Sequence, residues 1–421
     1  MRKTQLWKRY AGAIVLLVLP ALGKADVVLD WNVIMQAMVS TQAPFPQARF
    51  AAITQLAVFE AVNSITNDYK PYLGTITAPP GASPEAAAIT AAYTVLKAYF
   101  PANAIALDAA RATSLAAIPD GTAKNNGIAV GAAAAAAMMA ARANDGSSPL
   151  TFFMPTSANP GEWQLTPGCP AAGGAFFNWQ NVTPFGILSA DQFRVDPPPK
   201  LAGGRYGHAY NEVKEVGGIN STQRPQDRTN VALLFANITP VPIFNPIARM
   251  LGASEGRSLS ENAHDLAILN MAISDAAVAT FETKYYYKFW RPVTAIRDAA
   301  FDGNDRTEPD ATFQPLIETP CFPSYPSAHG VLSNSASSAL GQIYGNVSFS
   351  ITLSTPAVPG VAITYTNLQQ ITDDIADARV YGGIHFRTDQ DAGKLMGQRI
   401  GQWVYEHNLR RSGGNGAGGN Q

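Results

Sequence analysis

Charge is scarce in this chain of 421 residues. Asp, Glu, Lys and Arg make up 14% of it and nearly cancel, leaving a formal net charge of −1. So balanced a chain offers no basic face to nucleic acid and no polybasic attraction to an anionic membrane, so any functional cluster of positive charge must be local. Cysteine is almost missing: only Cys169 and Cys321 occur. No Cys or His sits at ligand spacing beside either, which argues against a thiolate metal site. Whether the two form a disulfide or stay separate thiols is open on sequence alone. Histidine is rare too, with five in all. Beyond the N-terminus no long apolar run survives, because Gly, Pro and charges interrupt each one, and no membrane span is expected in the mature chain.

What the chain has is apolar mass. Hydrophobic residues make up 47% of it, enough for a large core. Arg2, Lys3, Lys8 and Arg9 open the chain, the run AGAIVLLVLPAL follows from Ala11 to Leu22, and Gly23 and Ala25 supply small residues before Asp26. This pattern reads as a signal peptide over 1–25, cleaved near Ala25, and implies a periplasmic or secreted protein. An apolar run short of the roughly 20 residues that span a bilayer argues against an anchor.

The remainder reads as all-α. Helical periodicity marks Val27 to Ser40, Pro46 to Ser64, Pro84 to Tyr99, Ala104 to Ala117 and Ala123 to Asn144. It resumes at Tyr206 to Val216, Gln226 to Ala236, Leu259 to Trp290, Ser327 to Tyr344, Leu368 to Val380 and Thr388 to Leu409. Residues 145–205 are rich in Gly, Pro and aromatics and read as a long surface excursion, a common way to wall a cleft. Val347 to Val361, with Pro and β-branched residues, reads as a small extended or irregular segment. The expected organisation is an N-terminal helical region at 26–245 that includes the excursion, a catalytic helical bundle at 246–411, and a Gly/Asn-rich disordered tail at 412–421.

Three motifs carry chemistry. Leu266, Leu269, Ile273, Ala277 and Thr280 mark one helical face, which Lys284 and then Arg291 extend; Pro292 predicts a helix end near Arg291. Two snorkelling surface cations would show the same spacing. In PSYPSAHG, Pro323 to Gly330, Ser327 is placed to cap a helix whose first-turn amides, at Ala328 and His329, form an anion site. In ARVYGGIHFRTD, Ala378 to Asp389, Gly382 and Gly383 let the backbone bend between Arg379 and His385, and Asp389 is one turn on from His385, placed to accept its ring N–H.

Together, Lys284 with Arg291-Pro292, Pro326-Ser327-x-His329, and Arg379 with His385 and Asp389 resemble the three-part signature of the vanadium haloperoxidases and type 2 phosphatidic acid phosphatases. DWN at Asp30, AVFEAVNSI around Glu60, GEWQLTP at Gly161 and KFWRPVTAIR extend the likeness towards secreted bacterial haloperoxidase-like proteins. Two positions depart from the pattern. Ala328 replaces a Gly, keeping the backbone N–H, and Ala378 replaces a Ser. The resemblance implies a helical bundle of the haloperoxidase/acid phosphatase type with long irregular connections. It also implies an oxyanion pocket of Lys284, Arg291, Ser327, Ala328 and Arg379.

Two reactions fit that pocket. As a haloperoxidase, the chain would hold vanadate with His385 as the vanadium ligand and His329 as acid–base, and would use hydrogen peroxide, a halide and an organic acceptor. As a phosphatase it would need no cofactor; His385 would attack a phosphate monoester and His329 would protonate the leaving alcohol. A non-catalytic vanadate- or phosphate-binding protein is the third reading. Phe322 stands where chloride-oxidising relatives have Phe, although core packing explains it equally. Asp275 is placed either to support a catalytic His or as a plain helix carboxylate. FDGNDRTEPD, Phe301 to Asp310, reads as a turn and not a calcium loop. Asn181-Val-Thr183 fits a glycosylation sequon but receives no role. His208, His264 and His407 read as surface or packing residues.

Overall fold

The computed structural model describes residues 26–413; the expected signal peptide and the tail beyond Gly413 lie outside the described residues. Among the described residues, thirteen α-helices and one short hairpin make up the fold. The N-terminal helices are α1 (Val27–Val39), α2 (Pro44–Thr66), α3 (Pro84–Tyr99), α4 (Ala104–Ala116) and α5 (Thr122–Ala141). After the excursion come α6 (Gly204–Gly217), α7 (Gln226–Ala236), α8 (Pro240–Ser254), α9 (Leu259–Tyr287) and α10 (Pro292–Arg297). The chain then forms α11 (Ala328–Tyr344), the antiparallel pair β1 (Ile351–Ser354) and β2 (Ala362–Tyr365), α12 (Leu368–Tyr381) and α13 (Arg387–His407).

Helix α9 is the axis. A capping box, Ser258 with Glu261, starts it, and residues all round its circumference are buried. By length and composition it is the one described helix able to span a bilayer, which the broken apolar pattern had not predicted; 94% of its most apolar window is buried inside the protein, as in a core helix. Helices α2, α11 and α13 all pack against it.

Glycines bring α13 close to α11. A Cβ at Gly397 would lie 2.3 Å from the Val331 carbonyl oxygen, and one at Gly401 would lie 2.3 Å from that of Ser335. Only hydrogen fits there, so the stripe fixes the distance between the helix that begins at Ser327 and the one that follows His385.

Three details differ from the sequence reading. Helix α8 was not expected, since Pro240, Pro242 and Pro246 fall within it. The first two occupy the opening turn, where no intrahelical N–H bond is lost, and only Pro246 lies in the interior. Helix α9 ends at Tyr287, with Lys288 in the left-handed region at φ 49°, so Lys284 and Arg291 do not share a helical stripe. The cause is long-range. The excursion captures the segment after the helix: Trp163 N–H donates to the Lys288 carbonyl at 2.6 Å, and Trp290 N–H donates to that of Gly161 at 3.0 Å. Finally, the open question about the cysteines closes: Cys169 and Cys321 form a disulfide across 152 residues, tying the excursion to the segment before Ser327.

Candidate active site

Three cations meet at the base of a cleft, each buried. Lys284, from the last turn of α9, donates to the carbonyls of Pro323 at 2.7 Å and Ser324 at 2.8 Å. Arg291, in the extended step before α10, donates through Nε to the Phe322 carbonyl at 2.8 Å and through Nη1 to that of Ile384 at 2.9 Å. Arg379, in the last turn of α12, donates to the Phe235 carbonyl at 3.1 Å. Phe322 offers its ring to two of them, with Lys284 Nζ at 5.2 Å and the Arg291 guanidinium at 5.1 Å from the centroid. It also packs edge-on against Phe281, so the cation contact and the core packing coexist.

The cluster is electrostatically unhappy without a counter-ion. Burial holds Lys284 well below its ordinary value, and the Arg291 charge adds to this. Burial brings Arg291 down to about 9 and Arg379 to about 10, so both remain cations at neutral pH. Two of their donors, Arg291 Nη2 and Arg379 Nε, are buried with no partner. A buried N–H left unpaired costs on the order of 1–3 kcal/mol, more when charged, and an oxyanion supplies the missing acceptor.

The start of α11 completes the cradle. Ser327 caps the helix by accepting from Gly330 N–H at 3.3 Å, and its own N–H donates to the Asp389 carbonyl at 3.0 Å. The first-turn amides of Ala328 and His329 donate to no protein acceptor among the described residues. Ala328 is buried without disturbing the helix start, so the added methyl fits.

His385 follows the bend at Gly382 and Gly383. Gly383 has φ 78°, and a Cβ there would lie 2.2 Å from the Gly217 carbonyl oxygen, so both its conformation and its surroundings require glycine. The His385 ring lies between an acid and a base. Its Nδ1 is 2.9 Å from Asp389 Oδ2 and its Nε2 is 3.0 Å from Arg291 Nη1. Burial and then the charges of Arg291, Lys284 and Arg379 hold its pKa well below the ordinary histidine value, so the ring is neutral. Burial pushes the Asp389 carboxyl up to about 6, against the opposing pull of its bond from Ser324 and the Lys284 charge.

Above this floor opens a cleft of about 570 Å³. His329, Arg379 and His385 reach it from below, while Phe45, Phe176 and Leu233 are among its apolar walls. Phe176 belongs to the excursion, which therefore does line the cleft as its composition predicted. His329 keeps some exposure there; burial and then the Arg379 charge lower its pKa, while the Ile238 backbone pulls the other way.

Every site residue expected from sequence thus falls into one cluster, although Arg291 reaches it by a different route. The donor set is three cations, a hydroxyl and free amides, with one neutral ring nitrogen as acceptor. That combination fits a tetrahedral oxyanion such as vanadate or phosphate.

Asp275 does not support a histidine. It accepts the N–H groups of Phe185 at 2.6 Å, Gly186 at 2.6 Å and Ile187 at 2.9 Å and so anchors the excursion. The Asp302 loop is a closed turn in which Thr307 donates to both Asp302 oxygens, and no His/Cys/Asp/Glu group among the described residues is arranged for a metal ion. His264 is a packing residue, stacked on Tyr69 with centroids 4.2 Å apart. Sequence reasoning missed Ser324, whose hydroxyl donates to Asp389 at 2.6 Å. It lies within the second motif, but nothing local marks its partner 65 residues later.

Comparison with known proteins agrees with this geometry. The VCPO second helical-bundle domain matches residues 264–414, which hold all eight site residues expected from sequence. The vanadium chloroperoxidase of Curvularia inaequalis is 26% identical over 186 residues, a match spanning 37% of this chain and only 30% of that relative. A bacterial vanadium-dependent iodoperoxidase superposes with a TM-score of 0.75 at 23% identity, covering 92% of this chain and 96% of the other. An apo-type bacterial vanadium-dependent chloroperoxidase gives 0.71 at 18% identity, covering 87% and 94%. Residues 264–414 are thus similar to the second helical-bundle domain of a vanadium chloroperoxidase, and the overall fold is that of the bacterial vanadium haloperoxidases.

Proposed function

We propose that this chain is a vanadium-dependent haloperoxidase, oxidising a halide with hydrogen peroxide and passing the oxidised halogen to an organic acceptor. The observation that carries the reading is the set of buried, under-partnered cations around the unprotonated Nε2 of a neutral His385, which accepts from Arg291 Nη1. The similarity in fold to haloperoxidases along nearly the whole chain, including α2, whose Phe45 walls the cleft, supports it over a phosphatase.

Lys284, Arg291 and Arg379 would hold vanadate by charge, Ser327 and the Ala328 amide would hold its oxygens, and His385 Nε2 would be the ligand to vanadium. Bound vanadate supplies a Lewis-acidic centre that activates peroxide for two-electron oxidation of halide without changing its own oxidation state. The net reaction is X⁻ + H₂O₂ + H⁺ → HOX + H₂O. His329 faces the cleft and moves the proton this balance requires. Asp389 keeps His385 oriented by accepting from Nδ1, and the apolar walls limit water above the floor.

The test is to add orthovanadate to metal-free protein and follow peroxide-dependent halogenation of a dye. Activity should appear only with vanadate and be abolished in His385→Ala. No turnover with chloride, bromide or iodide, together with brisk hydrolysis of an aryl phosphate, would assign the pocket to phosphoryl transfer instead.

A further inference from the structure

Ser324 is buried, and each of its polar groups goes to a different part of the site. Its N–H donates to the Phe289 carbonyl at 2.9 Å, its carbonyl accepts from Lys284, and its hydroxyl lies 2.6 Å from Asp389 Oδ2 and 3.3 Å from His385 Nδ1. The hydroxyl has one proton and two acceptors in reach, so its direction has to be decided.

Arg291 decides it. A guanidinium N–H is always a donor, and Nη1 stands 3.0 Å from His385 Nε2, so that nitrogen must be the unprotonated one. The neutral ring then carries its proton on Nδ1, which cannot accept from Ser324. The serine proton goes to Asp389 Oδ2, the nearer acceptor.

That oxygen therefore takes three donors: Ser324 Oγ, His385 Nδ1 and Phe386 N–H at 3.2 Å. The other carboxylate oxygen, Oδ1, is buried with no partner. The carboxylate is thus oriented through one oxygen only, and the serine makes its shortest bond.

We propose that Ser324 is a positioning residue that locks Asp389 onto His385 Nδ1 and so keeps Nε2 unprotonated and directed at the oxyanion centre. The inference rests on His385 being the group that engages the anion. It extends the expected His–Asp pair to a Ser–Asp–His relay. In Ser324→Ala the backbone contacts to Phe289 and Lys284 persist, so the substitution isolates the hydroxyl. The carboxylate is then free to turn towards its unpartnered oxygen, and the ring populates both tautomers.

The experiment uses full-length protein labelled with ¹⁵N-histidine, with orthovanadate and, separately, inorganic phosphate as probes. In the wild type, the ring shifts of His385 should report Nδ1–H and bare Nε2. In Ser324→Ala both shifts should move towards the tautomer average, and the orthovanadate Kd should rise about 10–100-fold, the usual scale for losing an outer-shell partner. Ser324→Thr, which restores the hydroxyl, should recover both readouts. Wild-type shifts and an affinity within about twofold of wild type in Ser324→Ala would overturn the proposal. If the alanine variant does not fold, Ser324→Cys makes the same comparison, its thiol being a similar shape but a weak donor. Should the wild type bind neither anion, the oxyanion reading falls, while the ring shifts still decide the role of Ser324.

Discussion

The floor of the cleft and the anchors of the excursion are built on opposite principles. On the floor, like charges crowd together and two buried donors lack partners. The anchors are saturated. Asp275 takes three backbone N–H groups, and Asp145 takes Arg49 Nε at 2.7 Å and Arg142 Nε at 3.1 Å. Arg142 also donates to the carbonyls of Thr183 and Pro184, and a disulfide closes the other end. The difference is one of division of labour. The floor is held in a destabilised arrangement that an anion relieves, and the stability that permits this comes from elements that bind nothing.

The largest expected effect comes from breaking an anchor. Asp275→Ala strands three amides, two of them buried, each formerly bonded to a carboxylate, and should lower unfolding free energy by about 3 kcal/mol or more. Denaturant titration measures this. Orthovanadate affinity at low temperature, where the variant is folded, should stay within about tenfold, or about 1.4 kcal/mol. A variant of normal stability with lost affinity would place Asp275 in the site after all.

A change on the floor should act in the other direction. Arg379 is a buried cation with one hydrogen bond and an unpartnered Nε. Replacing such a group by an apolar one of similar length is often stabilising. Arg379→Met should therefore raise the stability of anion-free protein by about 1–2 kcal/mol, with a higher Tm, while removing orthovanadate binding. Loss of stability here would erase the contrast between the two regions.

How much of this was legible in the sequence follows the same division. The floor residues were readable because their signals are local: a Ser before a helix, two glycines between Arg379 and His385, and an Asp one turn on. Helices α3 and α7 were readable to the residue, α3 from its Ser83 cap and the proline that follows, α7 from the proline that precedes it. The anchors were not readable. Asp275 finds its donors 88 to 90 residues earlier, and nothing near it marks them. The seven-residue spacing from Lys284 to Arg291 looked like two helical turns, because the bonds from Trp163 and Gly161 that redirect the chain come from the excursion. Ser324 received no reading from sequence, and its hydroxyl acquires meaning only when α13 is packed beside it.

The smallest expected effect tests whether the floor acts as one electrostatic unit. Burial is the main cause of the lowered His329 pKa, and the Arg379 charge is the next. Removing that charge favours the imidazolium, so in anion-free Arg379→Met the pKa of His329 should rise yet stay below the ordinary value of about 6.5. A ring whose folded pKa is depressed contributes stability above its unfolded pKa and loses it as pH falls through the folded one. Raising the folded pKa should therefore make the acid side of the stability–pH curve less steep. Ring NMR titration measures the pKa directly, and phosphate bound to wild type should move it the same way by neutralising Arg379. An unchanged His329 in both experiments would mean that the cations do not tune the proton-handling group, and that floor and cleft are electrostatically separate.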